Sequence, residues 1–304
     1  MKLTSVIYKT ALKTYEVLPF KKQLCELVRY LRINHEKFYK DVRFKEPFKV
    51  QLKNGQHFKL YHGSTIESDI FWKGLGNNWE SDTIWIVEEL ARTSDVIFDI
   101  GANVGVYSLI SKTVNPSAKV YSFEPVKRTH GQLLKNMAVN NYNIVAEQIA
   151  LSDKTGTQLF YDVESEHQQS ASLSADKFKT PGDCTDPIIE YNITTSTLDE
   201  YIDKNNITNI DLIKIDVELH EPAVIAGFTK YLEIFSPYIV IEVLNSQVAN
   251  ELNKVFANGN YKIFHLDESN VLRPKDRLEV IPFKWNFLIC KPEKLEQVSK
   301  FITY

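Results

Sequence analysis

From about residue 80 onward, short apolar runs rich in β-branched residues alternate with stretches of helical periodicity. This alternation is typical of βαβ units, in which parallel strands form one sheet with helices on both faces. The chain therefore predicts a doubly wound, mostly parallel α/β domain. The predicted strands are VIFDI (96–100), AKVYSF (118–123), NIVAEQIAL (143–151), IDLIKID (210–216), YIVIEV (238–243), YKIFHL (261–266) and NFLIC (286–290). The predicted helices span about 105–114, 126–140, 197–204, 221–232 and 246–257.

The first 77 residues are organised differently. Apolar residues spaced three and four apart, with basic residues between them, predict two amphipathic helices that are broken near Pro19. Two alternating runs around Asn54-Gly55 (48–62) predict a β-hairpin, because this dipeptide readily adopts the positive φ angles of a type I′ turn. We therefore divide the chain into a helical and hairpin extension (1–77), the α/β domain (78–292) and a C-terminal tail (293–304).

Charge is distributed unevenly along the chain. Residues 1–45 contain eleven Lys or Arg and four acidic residues, although the whole chain has a net charge of −3. Two interpretations of this basic segment remain open. Its helices pack on the main domain, or they contact a membrane surface or a lipid-linked substrate. The remaining sequence is acidic, which disfavours nucleic acid as a partner.

The sequence contains no apolar run near the roughly 20 residues that cross a bilayer. Lys9 and Lys13 interrupt what would be the apolar core of a signal peptide. The three cysteines are widely separated, which fits a reducing compartment. We expect a cytoplasmic protein, with peripheral association at the inner face of the membrane as the alternative; the oligomeric state stays open.

The first strand of the α/β domain leads directly into a glycine-containing loop, Asp99-Ile100-Gly101-Ala102-Asn103-Val104-Gly105. Ligands of such folds bind beyond the carboxyl ends of the strands. Two glycines let the backbone turn and approach a ligand closely. Asp99 is expected to fix the loop or to accept a hydrogen bond from a ligand ammonium. Asn103 stands where a dinucleotide-binding fingerprint has its second glycine, which argues against NAD or FAD.

A single acidic residue ends the second strand. Glu124, in the run YSFEP, follows Gly105 by nineteen positions. In ribose-binding sites of this kind a carboxylate stands roughly 20 residues after the glycine loop and accepts hydrogen bonds from ribose hydroxyls. The loop and Glu124 together predict a ligand that contains ribose.

Five blocks together resemble the FkbM-type methyltransferases: DIGANVGVYS (99–108), FEP (123–125), IALSDKTG (149–156), TTSTLDEY (194–201) and DLIKIDVELHEP (211–222). This resemblance implies a Rossmann-like, seven-stranded sheet whose last strand is antiparallel, S-adenosylmethionine as methyl donor, and O-methylation, often of sugars. It implies these cofactor-binding residues: Asp99, Gly101, Asn103, Gly105, Tyr107, Glu124, Pro125, Ala150 and Asp216. Similar proteins have glycine where this chain has Leu219, a departure that reshapes the acceptor side.

Methyl transfer from a sulfonium needs an acceptor oxygen held in line with the methyl carbon. An alcohol is a poor nucleophile at neutral pH, so a base or a metal ion is expected to assist. The candidates are Asp216, Glu218 and His220, with Glu218 and His220 on one side of the chain if the strand continues through them. The same residue types can bind Mg²⁺ or Mn²⁺, so a need for a divalent metal stays open.

The candidate acceptor-binding residues are Asn78 and Trp79, which offer hydrogen bonding and stacking, and Glu242 at the end of the fifth strand. The leading hypothesis is O-methylation of a sugar hydroxyl in a glycan or glycoconjugate. The alternatives are methylation of a small non-sugar molecule or a protein, and a catalytically silent binding protein that retains the fold.

Overall fold

A computed structural model describes residues 14–15, 17–31, 42–76, 80–163, 173, 188–257, 259–267 and 269–303. The chain forms two compact units, Met1–Trp79 and Glu80–Tyr304. The elements of the N-terminal unit are α1 (Lys21–Tyr30), β1 (Pro47–Gln51), β2 (His57–Tyr61) and α2 (Thr65–Lys73).

The N-terminal unit contains the expected hairpin. Its two strands pair antiparallel, and Gly55 in the turn has φ +89°. Phe44, Phe48 and Phe71 form the core together with His62, whose ring stacks on Phe44 at a centroid distance of 4.0 Å. The first of the two amphipathic helices falls outside the described residues, and α1 corresponds to the second. No described helix is both long and apolar enough to cross a membrane. Peripheral membrane contact stays a prediction.

The second unit contains the α/β domain. Its strands are β3 (Val96–Ile100), β4 (Lys119–Phe123), β5 (Val145–Glu147), β6 (Ala150–Leu151), β7 (Gly156–Val163), β8 (Ile188–Ser196), β9 (Leu212–Ile215), β10 (Tyr238–Glu242), β11 (Lys262–Asp267), β12 (Val271–Lys275) and β13 (Asn286–Cys290). Its α-helices are α3 (Ser81–Ala91), α4 (Val106–Val114), α5 (Lys127–Asn140), α6 (Leu198–Asn205), α7 (Glu221–Ala226), α8 (Thr229–Phe235), α9 (Ser246–Phe256) and α10 (Leu295–Val298).

Eight strands form the central sheet, in the order β12-β11-β13-β10-β9-β3-β4-β5. Strands β10, β9, β3, β4 and β5 are parallel to one another, whereas β13 runs antiparallel to both β10 and β11. From β3 the chain proceeds outward to β4 and β5, then returns to the other side of β3 as β9. The doubly wound fold class is confirmed. The ligand-binding crevice of such a sheet lies where the winding reverses, between β3 and β9.

The core strands match the predicted ones because they are buried on both faces and are therefore mostly apolar; Asp99, Lys214 and Glu242 are their charged residues. Four differences arise where local pattern is weak. The run 143–151 divides into β5 and β6, and β6 belongs to a separate three-stranded sheet with β8 and β7. The run 221–232 contains two helices, interrupted at Gly227 and Phe228. Helix α3 was not predicted. Strand β12 was not predicted either, and with it the central sheet has eight strands rather than the expected seven.

Strands β7 and β8 lie in the segment between β6 and α6, and residues 156–163 pair antiparallel with residues 188–195. Most of the residues between them lie outside the described part of the chain. The C-terminal residues form α10 between two short 3₁₀ helices, and Ile302 makes a β-bridge with Leu272 of β12.

Candidate active site

The glycine loop lies at the point where the winding of the sheet reverses. Gly101 has φ +77°, and a Cβ atom there would collide with the backbone carbonyl oxygen of Asp216, which follows β9. The N–H groups of Gly101 and Ala102 both donate to the Phe123 carbonyl at 3.0 Å. Gly105 has φ +88° and is the residue before α4. The loop therefore requires glycine at 101 because neighbouring backbone fills the space of a side chain.

Asp99 holds the start of α4 against the sheet. Its side chain is buried, and Oδ2 accepts hydrogen bonds from the Ser108 N–H at 2.9 Å and the Ser108 hydroxyl at 2.5 Å. Oδ1 is also buried and makes no hydrogen bond with the described residues. Burial raises the pKa of Asp99, although the Ser108 bonds oppose this. The unpartnered oxygen fits a cationic or hydrogen-bonding group of a ligand.

Glu124, at the end of β4, stabilises the glycine loop by hydrogen bonding. Its two carboxylate oxygens accept the N–H groups of Asn103 and Val126, each at 2.9 Å. Burial raises the pKa of Glu124 to about 7, and these two hydrogen bonds partly offset the rise. Each carboxylate oxygen has two lone pairs, so both retain capacity for a ligand hydroxyl. The buried carboxylate, the glycine backbone and the free Asp99 oxygen together suit an adenosine derivative that carries an ammonium group.

A buried lysine lies beneath the crevice, in the middle of β9. Lys214 is 3% exposed, and its ammonium contacts Asp216 Oδ2 at 2.6 Å and Glu80 Oε2 at 4.0 Å. It also lies 4.7 Å from the centroid of the Tyr107 ring, and the Tyr107 hydroxyl donates to Glu80. Burial alone would lower the pKa of Lys214, but the Asp216 and Glu80 carboxylates outweigh burial and raise it. The lysine is therefore a fixed cation that orients Asp216.

Glu242 ends β10, next to Asp216. Ile241 pairs with Ile215 in parallel register, so the residues that follow them are neighbours at the same edge. Burial and the charges of Asp216 and Glu218 raise the pKa of Glu242 well above its usual range. Across the sheet Glu242 pairs with Asn286, whose amide donates to Asp82 Oδ2 at 3.3 Å. Carboxylates thus converge at the edge of the sheet where β9 and β10 end.

The expected strand alternation after β9 is wrong. The strand ends at Ile215, and Glu218 and Leu219 adopt left-handed conformations with φ +54° and +74°. His220 is the residue before α7, and its Nε2 atom lies 2.9 Å from the hydroxyl of Ser152, just after β6. Burial lowers the pKa of His220. The imidazole therefore connects the start of α7 to the residue that follows β6.

Leu219 occupies a backbone conformation that favours glycine. Its φ of +74° is unfavourable for a residue with a Cβ atom, whereas glycine adopts such angles readily. The leucine side chain is partly buried and packs against the central hydrophobic core. Packing of the side chain therefore offsets part of the cost of this backbone angle.

The other candidate residues occupy different positions. Pro125 follows Glu124 in the loop before α5, and Ala150 is buried at the start of β6. Asn78 and Trp79 lie outside the described residues. Among the residues that the structure describes, no group of three or more His, Cys, Asp or Glu side chains is arranged to bind a metal ion.

The charged groups around Asp216 were not predicted from the sequence. Glu80 lies just before α3, far from β9 in sequence, and no motif connects the two. The sequence does indicate that Lys214 is paired, since a lysine inside the apolar run LIKI is costly to bury without an oppositely charged partner. Its ion pair with Asp216, two residues later, is that pairing.

Glu221 gives the site region a testable pH dependence. It is fully buried; Oε1 accepts the Val217 N–H at 3.2 Å, and Oε2 has no hydrogen bond to the described residues. Burial raises its pKa from 4.5 to about 8. The folded protein therefore binds a proton that the unfolded chain releases, and the associated stability is present below about pH 4.5 and lost as pH rises through about 8.

We therefore expect a lower melting temperature at about pH 9 than at about pH 6, measured on the protein without ligand. Glu221→Gln removes the titration and should reduce this difference, whereas Glu251→Gln, at an exposed position of α9, should leave it unchanged. An unaltered pH difference in Glu221→Gln would show that other groups cause it.

Comparison with known proteins places these features among methyltransferases. The Methyltransferase FkbM domain model matches residues 99–263. The hexuronic acid methyltransferase AglP of Haloferax volcanii is 27% identical over 180 residues, covering 59% of this chain and 69% of that protein. The 2-O-methyltransferase NoeI of Sinorhizobium fredii is 28% identical over 179 residues, covering 54% of this chain and 71% of NoeI. A solved methyltransferase FkbM from Methylobacillus flagellatus aligns with TM-score 0.41 and 15% identity, over 73% of this chain and 54% of that chain.

Proposed function

The chain belongs to the FkbM family of S-adenosylmethionine-dependent methyltransferases, and from this premise we propose that it methylates a hydroxyl group of a sugar, with Asp216 as the general base. The observation that carries the proposal is the position of Asp216. It immediately follows β9, beside the glycine loop, and Lys214 holds its carboxylate at 2.6 Å. A carboxylate fixed beside the donor site is suited to removing a hydroxyl proton.

The names of two relatives support oxygen as the methylated atom and a sugar as the acceptor. One is named for hexuronic acid and the other for 2-O-methylation. The identities of 27% and 28% support the general reaction more strongly than any particular acceptor.

The residues that would hold the methyl donor are those of the glycine loop together with Asp99 and Glu124. Glu124 provides hydrogen-bond acceptors for ribose hydroxyls, and the backbone at Gly101 and Gly105 leaves room for close approach. Asp99 Oδ1 provides a buried acceptor for an ammonium group. When bound, S-adenosylmethionine supplies an electrophilic methyl group.

Asp216 contributes by orientation and by proton transfer. The Lys214 ammonium fixes one of its oxygens, which limits the rotation of the carboxylate. The acceptor hydroxyl loses its proton to Asp216 as its oxygen becomes methylated. General base catalysis of this kind contributes about 100- to 10,000-fold to a rate. In this proposal Glu242 and Glu218 accept hydrogen bonds from other hydroxyls of the sugar.

The test begins with donor binding. Isothermal titration of the full-length protein with S-adenosylmethionine should show binding, and Glu124→Ala should weaken it about 10- to 100-fold, the loss expected for hydrogen bonds to a charged group. Glu251→Ala, an exposed glutamate on α9, is the matched control. An unchanged dissociation constant in Glu124→Ala would contradict the assigned donor site.

The second step measures release of S-adenosylhomocysteine with simple glycosides, peptides and small non-sugar alcohols as acceptors. Turnover with glycosides supports the proposal. Turnover only with peptides or non-sugar alcohols would replace the sugar acceptor while retaining the methyltransferase. Lack of donor binding under all conditions would favour a silent protein that retains the fold.

A further inference from the structure

A segment just before β13 borders the candidate acceptor site. We name residues 281–285, with the sequence IPFKW, the β13 rim. Strand β13 runs antiparallel to β10, with Asn286 paired to Glu242, and the Val243 N–H donates to the Trp285 carbonyl at 2.8 Å. The start of β13 therefore lies at the carboxyl end of β10. This register brings the rim to the reacting edge of the sheet.

The β13 rim exposes two aromatic side chains. Phe283 is 87% exposed and adopts φ +62°, an unfavourable conformation for a bulky residue, and Trp285 is 37% exposed. Unfavourable backbone angles cluster at ligand-contacting segments. Aromatic faces carry negative partial charge and an apolar surface, which suits the C–H-bearing face of a pyranose ring.

The same edge is rich in carboxylates. They are Glu80, Asp82, Asp216, Glu218 and Glu242. Lys214 is already engaged by two of them, and Lys284 of the rim lies within electrostatic reach of Asp267. A carboxyl group can accept hydrogen bonds from sugar hydroxyls whether it is ionised or, as the raised pKa of Glu242 favours, protonated. Ionised carboxylates repel a second carboxylate brought beside them.

We propose that the acceptor is a neutral pyranose, with its ring on the aromatic side chains of the β13 rim and its hydroxyls donating to Glu218 and Glu242. This inference rests on the proposed function and specifies its acceptor. It separates this chain from a relative named for hexuronic acid, because the carboxylate of a hexuronate would enter an edge that is already anionic. A neutral sugar instead gains hydrogen bonds there.

The experiment compares matched acceptors on the full-length protein. The probes are p-nitrophenyl glycosides of the gluco, galacto and manno series, each in the neutral form and as the corresponding uronide. Binding is measured by saturation-transfer NMR with S-adenosylhomocysteine present, and turnover by release of S-adenosylhomocysteine from the donor. We expect the neutral member of the accepted series to have a kcat/KM at least about 10-fold higher, the effect of a single unfavourable charge contact.

Single substitutions test the rim itself. Phe283→Ala and Trp285→Ala should each raise KM for the neutral glycoside about 3- to 10-fold, the loss expected for one aromatic contact. Both should leave kcat and the donor dissociation constant unchanged, because the contact is equally strong in the ground and transition states. Ile234→Ala is the control, since this residue is 66% exposed but precedes the opposite, amino-terminal end of β10.

The outcomes separate the two proposals. Preference for the uronide, or wild-type KM in both rim variants, would overturn the neutral-pyranose inference and leave sugar methylation in place. Absence of NMR contact and of turnover for every glycoside, with donor binding intact, would overturn the sugar acceptor and this inference together. Neutral preference with raised KM in the rim variants supports both.

Discussion

Replacing Asp216 with asparagine is expected to lower kcat by about 100- to 10,000-fold, because asparagine cannot accept the hydroxyl proton. Asparagine preserves the size of the side chain and keeps one oxygen toward Lys214. The donor should therefore still bind, with a dissociation constant close to that of the unaltered protein. The measurements are steady-state release of S-adenosylhomocysteine with an accepted glycoside and calorimetric titration of the donor.

The matched control is Asp203→Asn, which changes an exposed carboxylate that is also paired with a lysine, Lys230 at 2.8 Å. This variant should retain full activity. Unchanged kcat in Asp216→Asn would assign the base to another group. Weakened donor binding with unchanged kcat would instead show that Asp216 holds the methionine part of the donor.

Replacing Lys214 with methionine is expected to lower the free energy of unfolding by about 3–5 kcal/mol, the cost of removing one partner from a buried charge pair. Methionine fills most of the same volume, so the loss is electrostatic. Asp216 and Glu80 would remain at the crevice without their shared cation. Chemical denaturation monitored by circular dichroism measures the change.

Two further variants make this prediction specific. Lys230→Met removes a lysine that is paired on the surface, where solvent screens the charges, and should have little effect. Lys214→Met combined with Asp216→Asn should recover part of the loss, because the double variant no longer leaves that carboxylate unpaired. Equal stability of Lys214→Met and Lys230→Met would contradict the role assigned to the buried lysine.

The glycine loop shows how much of the site a sequence can specify. The order strand, loop and helix is local, and the requirement for Gly101 follows from a backbone that must pass close to its neighbour. Glu124 could be inferred as well, because a fixed spacing along the chain separates it from the loop. Its hydrogen bond from the Asn103 N–H was not foreseeable, since it depends on how the loop curves toward β4.

The turn after β9 shows the limit of periodicity. Alternation places every second side chain on one side only while a strand continues, and β9 ends at Ile215. The left-handed conformations of Glu218 and Leu219 change the direction of the chain, and His220 contacts the Ser152 hydroxyl. The roles of these side chains in catalysis stay predictions.

The sequence by itself determined the features that depend on neighbours along the chain. These are the alternation of buried strands and helices, the glycine loop, Asp216 at the end of β9, and the family to which the blocks belong. Hydrophobic periodicity and spacing encode them directly. The tertiary structure alone decided which distant residues share the crevice. Glu80 lies close to the Lys214 ammonium, although the two residues are far apart in sequence. The β13 rim lies beside Glu242 because β13 pairs with β10 in antiparallel register. Sheet order is a property of the whole packed domain, and no local pattern carries it.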